Sequence, residues 1–325
     1  MKFLFKLIIV LALAAAAWLA YGLLRPVDPS PQKFVLLRPG SSTRRIAHEL
    51  ESQGIIPSWP AFLALHYWKE RPLKAGEYLF DRPANALEVY DRLARGDSYV
   101  HTVVIPEGYN IYDIAAAIQS AGLGSAQDFV KIARNDAAVI SDLDPAAKSL
   151  EGYLFPDTYR FSRTQDMQDI VLSMVHRFRQ EAKQTGLDSD VHRVVTMASI
   201  VEKETGAPEE RPLVASVYYN RLQKGMAFDA DPTVIYAALL EGRYRGTIYQ
   251  SDLQSASPYN TYKYPGLPPG PIANPGRDAL LAAMHPAQTR YLFFVSDNNG
   301  HHRFATTMAE HNRNVAAYRQ SASGH

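Results

Sequence analysis

The chain has 325 residues, which is enough for two domains and a membrane anchor. Its net charge is +1 and no block of lysine or arginine stands out, so we expect no nucleic-acid partner. Cysteine is absent, which excludes disulfide bonds and thiolate chemistry and is compatible with an oxidising compartment.

Residues 7–24 form an uninterrupted apolar run, just long enough to span a hydrocarbon core of about 30 Å. Because Lys2 and Lys6 precede the run, residues 1–6 are predicted to be cytoplasmic and the bulk of the chain to lie outside. A cleaved signal peptide is the alternative, since residues 12–17 include small side chains. The run continues past that segment, which favours a retained transmembrane helix.

A proline-rich linker and a repeated pattern follow the apolar run. Residues 25–32 contain three prolines and are predicted to be a stiff linker. A strand–turn–helix pattern then occurs at residues 37–54 and again 68 residues later at residues 105–122. Each copy is predicted to end at a glycine. Two copies are too few for a solenoid, and chance similarity of a common unit is the alternative to duplication.

The second half of the chain mixes helical and strand patterns, which predicts an α+β domain. Apolar residues at helical spacing predict helices at residues 166–185 and 191–205. Further helices are predicted at residues 213–222 and 233–240, which follow Pro212 and Pro232, and at residues 308–318. Asp231 is the predicted N-cap of the helix at residues 233–240. A hairpin is predicted around residues 298–300, and residues 256–276, rich in Pro, Gly, Asn and Tyr, are predicted to form a long ordered loop.

Residues 198–205 place two glutamates at the end of an apolar helix. An anionic carboxylate is costly to bury, so a buried glutamate there is either paired or protonated, and a protonated carboxyl can act as a general acid. A solvated helix end is the alternative. The helical step of about 100° places Glu202 and Glu204 at opposite edges of the apolar stripe, so periodicity does not decide which one is inside.

Several motifs, in one order, resemble the MltG (YceG-like) endolytic murein transglycosylase family. The match runs through nearly the whole chain after the apolar run, which makes it far more specific than any single motif. The motifs lie at residues 151–159, 198–205, 215–222, 231–236, 259–262, 266–276, 283–287 and 311–312.

The resemblance implies an α+β fold with three parts: the N-terminal transmembrane helix, a small LysM-like module at residues 33–100, and an α+β YceG-like catalytic domain at residues 101–320. It implies a single-pass protein of the cell inner membrane whose catalytic domain is periplasmic. The expected substrate is the peptidoglycan glycan strand, cut so that strand elongation ends, with peptidoglycan synthases as possible partners. The histidines near the C-terminus match no zinc signature, and no metal or cofactor is expected.

By the same resemblance, Glu202 is the expected catalytic residue and Glu204 has a structural role, such as an ion pair or a cap. A lytic transglycosylase needs one carboxyl, which protonates the glycosidic oxygen and then accepts the proton of the sugar's own 6-hydroxyl. The products carry 1,6-anhydromuramic acid ends. A hydrolytic muramidase with two carboxyls and a non-catalytic glycan-binding scaffold are the alternatives.

Seven further residues are predicted to bind substrate. They are Asp157, Ser199, Asp231, Thr233, Tyr259, Asn260 and Thr261. Structural roles compete with this prediction, because Asp231 could only cap a helix, while Asn260 and Asp157 could only hold turns. Asp229 departs from the uncharged polar residue that the family pattern leads us to expect.

Overall fold

A computed structural model describes residues 2–322. These residues form α-helices and three short two-stranded sheets, as expected for an α+β fold. The chain divides into two compact units. The first contains the residues up to Thr102 together with Arg160–Asp166, and the second contains Val103–Tyr159 and the residues from Met167 onward.

The first unit begins with helix α1 (Lys2–Leu24), whose 23 residues extend over about 34 Å. This length and its apolar composition are sufficient to cross a membrane. Most of its side chains are exposed, although they are apolar, whereas Gly22 near its end is buried. A Cβ atom at Gly22 would lie 2.6 Å from the Ala61 Cβ, so the glycine allows the helix to pack closely at this point.

The rest of the first unit contains one small core. Its elements in chain order are β1 (Lys33–Leu37), α2 (Thr43–Ser52), α3 (Trp59–Lys69), β2 (Gly76–Phe80) and α4 (Ala86–Arg95). The two strands pair antiparallel, and Val35 and Tyr78, which lie opposite each other, are both fully buried. Asn85 and Glu88 form a capping box that fixes the start of α4.

The linker at residues 25–32 is held by backbone hydrogen bonds. The Val27 N–H donates to the Ala84 carbonyl over 2.9 Å, and the Ala84 N–H donates back over 3.2 Å. Val27 therefore forms an isolated antiparallel bridge with Ala84, although residues 25–32 contain no strand. Proline composition alone could not reveal this pairing.

The repeated pattern has the predicted local structure in both copies. Strand β3 (His101–Val104), a turn and helix α5 (Ile111–Ser120) repeat the β1–turn–α2 arrangement. The turn glycines Gly40 and Gly108 have nearly equal positive φ values, 77° and 76°. Such values are strained for residues with a side chain, so both turns require glycine.

The second unit is mainly helical. After α5 it contains α6 (Ala126–Asn135), α7 (Met167–Thr185), α8 (Val191–Glu204), α9 (Arg211–Gln223), α10 (Asp231–Leu240), α11 (Gln250–Leu253), α12 (Arg277–Met284) and α13 (Met308–Ala322). Its strands are β4 (Thr158–Phe161), which pairs with β3, and the antiparallel pair β5 (Phe293–Ser296) and β6 (His302–Ala305). The helix and hairpin predictions are confirmed within a few residues, and residues 256–276 form no helix or strand. The short helix α11 was not predicted.

Helix α8 lies at the centre of the second unit and packs against α9, α10 and α12. Its residues from Val194 to Val201 are buried, as the apolar spacing predicts. The last turn of this helix carries the two glutamates, Glu202 and Glu204.

Asn274 joins three distant segments of the second unit. Its side-chain oxygen accepts hydrogen bonds from the N–H groups of Gly152 and Leu154, each over 2.9 Å. Its amide nitrogen donates to the Tyr109 carbonyl and to the Glu151 carboxyl, also over 2.9 Å. Asn274 is fully buried, so no water can replace these partners without rearrangement.

We predict that Asn274→Ala lowers the free energy of unfolding by about 2–6 kcal/mol, because two buried N–H groups lose their acceptor and each costs about 1–3 kcal/mol. Denaturant unfolding of the purified protein measures this loss. The matched control is Asn135→Ala, whose side chain is exposed and donates to the Lys131 carbonyl within its own helix. Equal stability of the two variants would contradict the role given to Asn274.

Candidate active site

The end of α8 directs two carboxyls, Glu202 and Glu204, into different surroundings. Residues two positions apart on an α-helix are separated by about 200°, so they cannot face the same neighbour. Glu202 faces the starts of α9 and α12, whereas Glu204 faces a pocket.

Glu202 is engaged at both oxygens. Its Oε1 accepts a hydrogen bond from the buried Arg211 guanidinium over 2.8 Å, and its Oε2 accepts from the Gly276 N–H over 3.0 Å. Burial raises the pKa of Glu202, Gly276 and Arg211 oppose that rise, and nearby Glu107 adds to it. Arg211 also contacts Glu107 and Asp278, so Glu202 belongs to a network of ion pairs.

The surroundings of Glu204 contain no cation paired with its carboxylate among residues 2–322. Its Oε1 accepts a hydrogen bond from the Tyr218 hydroxyl over 2.7 Å. Burial raises the pKa of Glu204 to about 7, and the Tyr218 hydroxyl and the charge of Arg221 limit the rise. Glu204 can therefore be protonated near neutral pH, which suits a general acid.

Glu204 lines a pocket of about 410 Å³, within the range of pockets that hold small ligands. Its polar lining includes Tyr218, Arg221, Asp229, Asp231, Tyr262, His311 and Asn312. Its apolar lining consists of Phe228, Phe293, Phe294 and Met308. This mixture of aromatic faces and hydrogen-bonding groups can bind a sugar ring and its hydroxyls.

Two polar side chains of this pocket, His311 and Asp229, differ in whether they already have a hydrogen-bonding partner. His311 stacks on Phe293 with ring centroids 5.1 Å apart, and burial lowers its pKa, so the ring is neutral at pH 7. Its Nδ1 is buried and has no hydrogen-bond partner in the described part of the chain. Asp229 is paired with Arg221 over 3.0 Å. The His311 nitrogen is thus available to a ligand, while Asp229 is already engaged.

Of the seven residues predicted to bind substrate, only Asp231 lines the pocket of Glu204. Asp231 is the first residue of α10 rather than its N-cap, and Ala230 occupies the cap position without a side-chain bond. The Asp231 carboxylate instead accepts a hydrogen bond from the Tyr262 hydroxyl over 2.6 Å. The capping alternative for Asp231 was therefore wrong, and its carboxylate lies at the pocket wall.

The small polar residues near Asp231 are buried and satisfy backbone groups. Thr233 donates to the Ala230 carbonyl and lies 2.8 Å from the Thr261 hydroxyl, which accepts from the Ala230 N–H. Asn260 donates to the Leu253 and Ser255 carbonyls. These contacts match the alternative in which Asn260 holds a turn. The hydroxyls of Thr233 and Thr261 are buried and bond to each other and to the backbone of Ala230.

The remaining three predicted residues lie elsewhere in the second unit. Ser199 is buried and links α8 to the Ile272 N–H. Asp157 pairs with Arg177 over 2.7 Å. Tyr259 stacks edge-on against Tyr236 and lines a different cavity. None of the three contacts Glu202 or Glu204 among the described hydrogen bonds.

The sequence did not predict five further residues that line the pocket, which are Tyr218, Arg221, Tyr262, His311 and Asn312. Each of them lies in a motif that carried the family resemblance, at residues 215–222, 259–262 and 311–312. The signal was therefore present, but nothing in the spacing showed that these motifs converge on Glu204. The sequence also did not predict the pairing of Arg211 with Glu202, because the ion pair or cap interaction was expected at Glu204.

Comparison with known proteins gives one consistent result. Residues 35–317 match the YceG-like family. An endolytic murein transglycosylase of Bacillus subtilis (strain 168) is 35% identical to this chain. The alignment covers 92% of this chain and 89% of that protein. An endolytic murein transglycosylase of Streptococcus pneumoniae serotype 2 is 28% identical to this chain. The alignment covers 91% of this chain and 60% of that protein.

A solved structure supports the same assignment. The crystal structure of a yceG-like protein from Listeria monocytogenes is similar to this chain with a TM-score of 0.57 and 33% sequence identity. The similarity covers 87% of this chain and 98% of the Listeria chain. The family match alone spans most of the sequence, from Val35 onward. This chain therefore belongs to the YceG-like family.

Proposed function

We propose that this protein is an endolytic murein transglycosylase, which cleaves peptidoglycan strands between N-acetylmuramic acid and N-acetylglucosamine and leaves 1,6-anhydromuramic acid ends. The observation that carries the proposal is a carboxyl with a raised pKa, Glu204, at the wall of a polar and aromatic pocket in a YceG-like chain. One such carboxyl is sufficient for this reaction, because the substrate supplies the nucleophile.

In the proposed reaction, protonated Glu204 donates its proton to the glycosidic oxygen as the bond to the anomeric carbon of muramic acid breaks. The resulting carboxylate accepts the proton of the 6-hydroxyl of the same sugar, and that oxygen bonds to the anomeric carbon. Glu204 thus ends protonated, and neither water nor a cofactor is consumed. The Tyr218 hydroxyl donates to Oε1, so in this proposal Oε2 would transfer the proton.

The assignment to Glu204 differs from the prediction made for Glu202, which stays a prediction from the resemblance. Glu202 accepts hydrogen bonds from Arg211 and from the Gly276 N–H, whereas Glu204 accepts from the neutral Tyr218 hydroxyl at the wall of a pocket. Burial raises the pKa of Glu202 as well, so the choice between the two glutamates rests on the ion pair with Arg211 and on the pocket. We therefore assign Glu202 to the positioning of α8 against α9 and α12.

Hydrolysis is the second candidate reaction, because Asp229 and Asp231 place two more carboxylates in the pocket of Glu204. A muramidase would use one of them to activate water or to form a covalent intermediate. Asp229 is paired with Arg221, and Asp231 accepts from Tyr262, so both carboxylates are already engaged. Ordinary reducing ends in the products would favour hydrolysis.

For the other parts of the chain, we propose a membrane anchor and a glycan-binding module. Residues 7–24 lie within α1 and would hold the catalytic domain, residues 101–320, on the periplasmic side of the inner membrane. Residues 33–100 would act as a LysM-like module, and a groove of about 670 Å³ beside β1 and α2 could accept a glycan strand. Peptidoglycan synthases are proposed partners at the membrane.

We predict that Glu204→Gln lowers kcat at least about 100- to 10,000-fold, the usual contribution of general acid–base catalysis, because one residue fills both roles. Mass spectrometry of the products from purified protein and murein measures the rate and identifies 1,6-anhydro ends. The amide keeps the shape of the side chain and can still accept from Tyr218, so folding should be retained.

Glu202→Gln is the matched control, on the same helix and with the same chemical change. It removes the charge partner of buried Arg211, so we expect a lower melting temperature but a loss of activity below about tenfold in the folded fraction. The opposite result, with a folded Glu202→Gln variant inactive and Glu204→Gln active, would return the catalytic role to Glu202.

The raised pKa of Glu204 predicts two pH effects. As the pH rises through about 7, the acid loses its proton, so kcat/KM of the wild type should fall. The stability provided by the protonated side chain is complete below its unfolded pKa of about 4.5 and is lost as the pH rises towards 7. Hence the stability of Glu204→Gln relative to wild type should increase between pH 5 and 8, as thermal unfolding would measure. A constant difference across this range would contradict the assigned pKa.

We predict that the mature protein retains α1 and resists extraction from membranes by high salt, because its apolar side chains lack a protein partner over most of the helix. External protease added to spheroplasts should degrade the folded domains. N-terminal sequencing that finds a chain beginning after residue 17, released in soluble form, would contradict the anchor.

A further inference from the structure

A second and larger cavity lies in the second unit, outside the pocket of Glu204. Its volume is about 780 Å³, and its walls come from α5, α6 and α10 together with residues 148–149 and Tyr259. The lining is mostly apolar, with Ile111, Ala115, Val130 and Leu240 among the aliphatic residues. It is large enough to hold a short peptide segment or a sugar.

Three cations stand at the edge of this cavity, Lys131 and Arg134 on α6 and Lys148 in the following loop. All three are exposed, and within residues 2–322 none of them forms an ion pair with a carboxylate. Arg134 donates only a long hydrogen bond of 3.4 Å to the Tyr112 hydroxyl. Surface cations are usually solvated. Here three cations that have no paired carboxylate within residues 2–322 lie around one apolar cavity, and they give the cavity a positive rim.

A buried carboxyl that bonds to the cavity lining, that of Glu151, does not neutralise this rim. Glu151 is fully buried, and it accepts hydrogen bonds from the Ile111 N–H and from Asn274. Burial raises the pKa of Glu151 to about 8, so it carries little negative charge at neutral pH. The cavity therefore favours an anionic ligand.

Helix α10 connects this cavity to the pocket of Glu204. Its first residue, Asp231, lines the pocket, and its last residue, Leu240, lines the cavity. Ten residues of α-helix extend over about 14 Å. The segment after α11 also extends from the cavity to the pocket, since Tyr259 lines the cavity and Tyr262 lines the pocket. A polymer bound at Glu204 could therefore reach the cavity with a short side branch.

We propose that this cavity binds the acidic peptide attached to the glycan strand, a deepening that rests on the proposed function. The peptide carries carboxylates for Lys131, Arg134 and Lys148, and its small aliphatic side chains fit the apolar wall. An uncharged sugar would make no use of three unpaired cations. The enzyme thereby prefers strands that carry their peptides over strands from which the peptides have been removed.

The test compares two substrates and two charge variants. The substrates are murein strands with intact peptides and the same strands stripped of peptides by an amidase. The test variant is Lys131→Gln/Arg134→Gln/Lys148→Gln. The matched control, Lys183→Gln/Lys224→Gln/Arg290→Gln, removes the same charge from exposed positions of the second unit that do not line the cavity. Melting curves establish that both variants are folded.

On peptide-bearing strands, the test variant should raise KM about tenfold, the combined effect of exposed charge pairs, with kcat little changed. On stripped strands it should match the wild type, and the control variant should match the wild type on both. An equal effect of the test variant on both substrates, or no effect on either, would overturn the proposal.

Binding by the inactive Glu204→Gln variant separates this proposal from the proposed function. The variant should bind peptide-bearing strands more tightly than stripped ones, and adding the three Lys131, Arg134 and Lys148 changes should remove that difference. If the wild type cleaved neither substrate while this binding difference remained, the proposed reaction would fail and the peptide site would stand. If binding showed no difference, the peptide site would fail whatever the activity.

Discussion

The buried amide of Asn274 is the contact on which the geometry of the second unit depends. Four hydrogen bonds join it to Tyr109, Glu151, Gly152 and Leu154, which lie more than 100 residues earlier in the chain. Closing a loop of this length costs conformational entropy, and the hydrogen bonds of one amide cannot offset that cost alone. The Asn274 hydrogen bonds therefore act together with the core around α8, and they fix the chain just before Gly276.

The position of Gly276 then determines which hydrogen bonds the Glu202 carboxyl accepts. The Gly276 N–H donates to Glu202, and a Cβ atom at Gly276 would lie within 2 Å of the Glu107 carboxyl. A side chain at position 276 would therefore force the Glu107 carboxyl to move away. Gly276 and Arg211 consequently hold Glu202 at the end of α8, whereas Glu204, two residues further on, has no ion pair within residues 2–322.

The sequence predicted the elements of the second unit better than it predicted the site. Apolar spacing identified α7 and α8, because burial of one helix face needs only local periodicity. It could not show which glutamate faces the pocket, since Arg211 and Tyr218 lie on the same helix, α9, and contact different glutamates. The substrate-binding roles of Thr233 and Thr261 stay predictions, and both side chains bond to backbone groups of Ala230, because a short hydroxyl side chain satisfies a buried backbone group as readily as a ligand.

Helix α9 controls the chemistry of Glu204 through two residues three positions apart. Residues at this spacing share one face, so Tyr218 and Arg221 both point to the pocket. Arg221 donates to the carbonyls of Ala227, Phe228 and Leu292, which joins the loop before α10 to the chain before β5 and so forms two walls of the pocket.

The same two residues set the proton affinity of Glu204. Burial alone would raise the pKa of this carboxyl further, and a carboxyl that binds its proton too tightly is a poor acid. The Tyr218 hydroxyl and the Arg221 charge oppose that rise, and the balance gives a pKa of about 7. The charge of Asp231, which also lines the pocket, acts in the opposite direction and raises the pKa of Glu204. The carboxylate of Asp231 therefore helps to keep Glu204 protonated, whereas Asp229 is paired with Arg221.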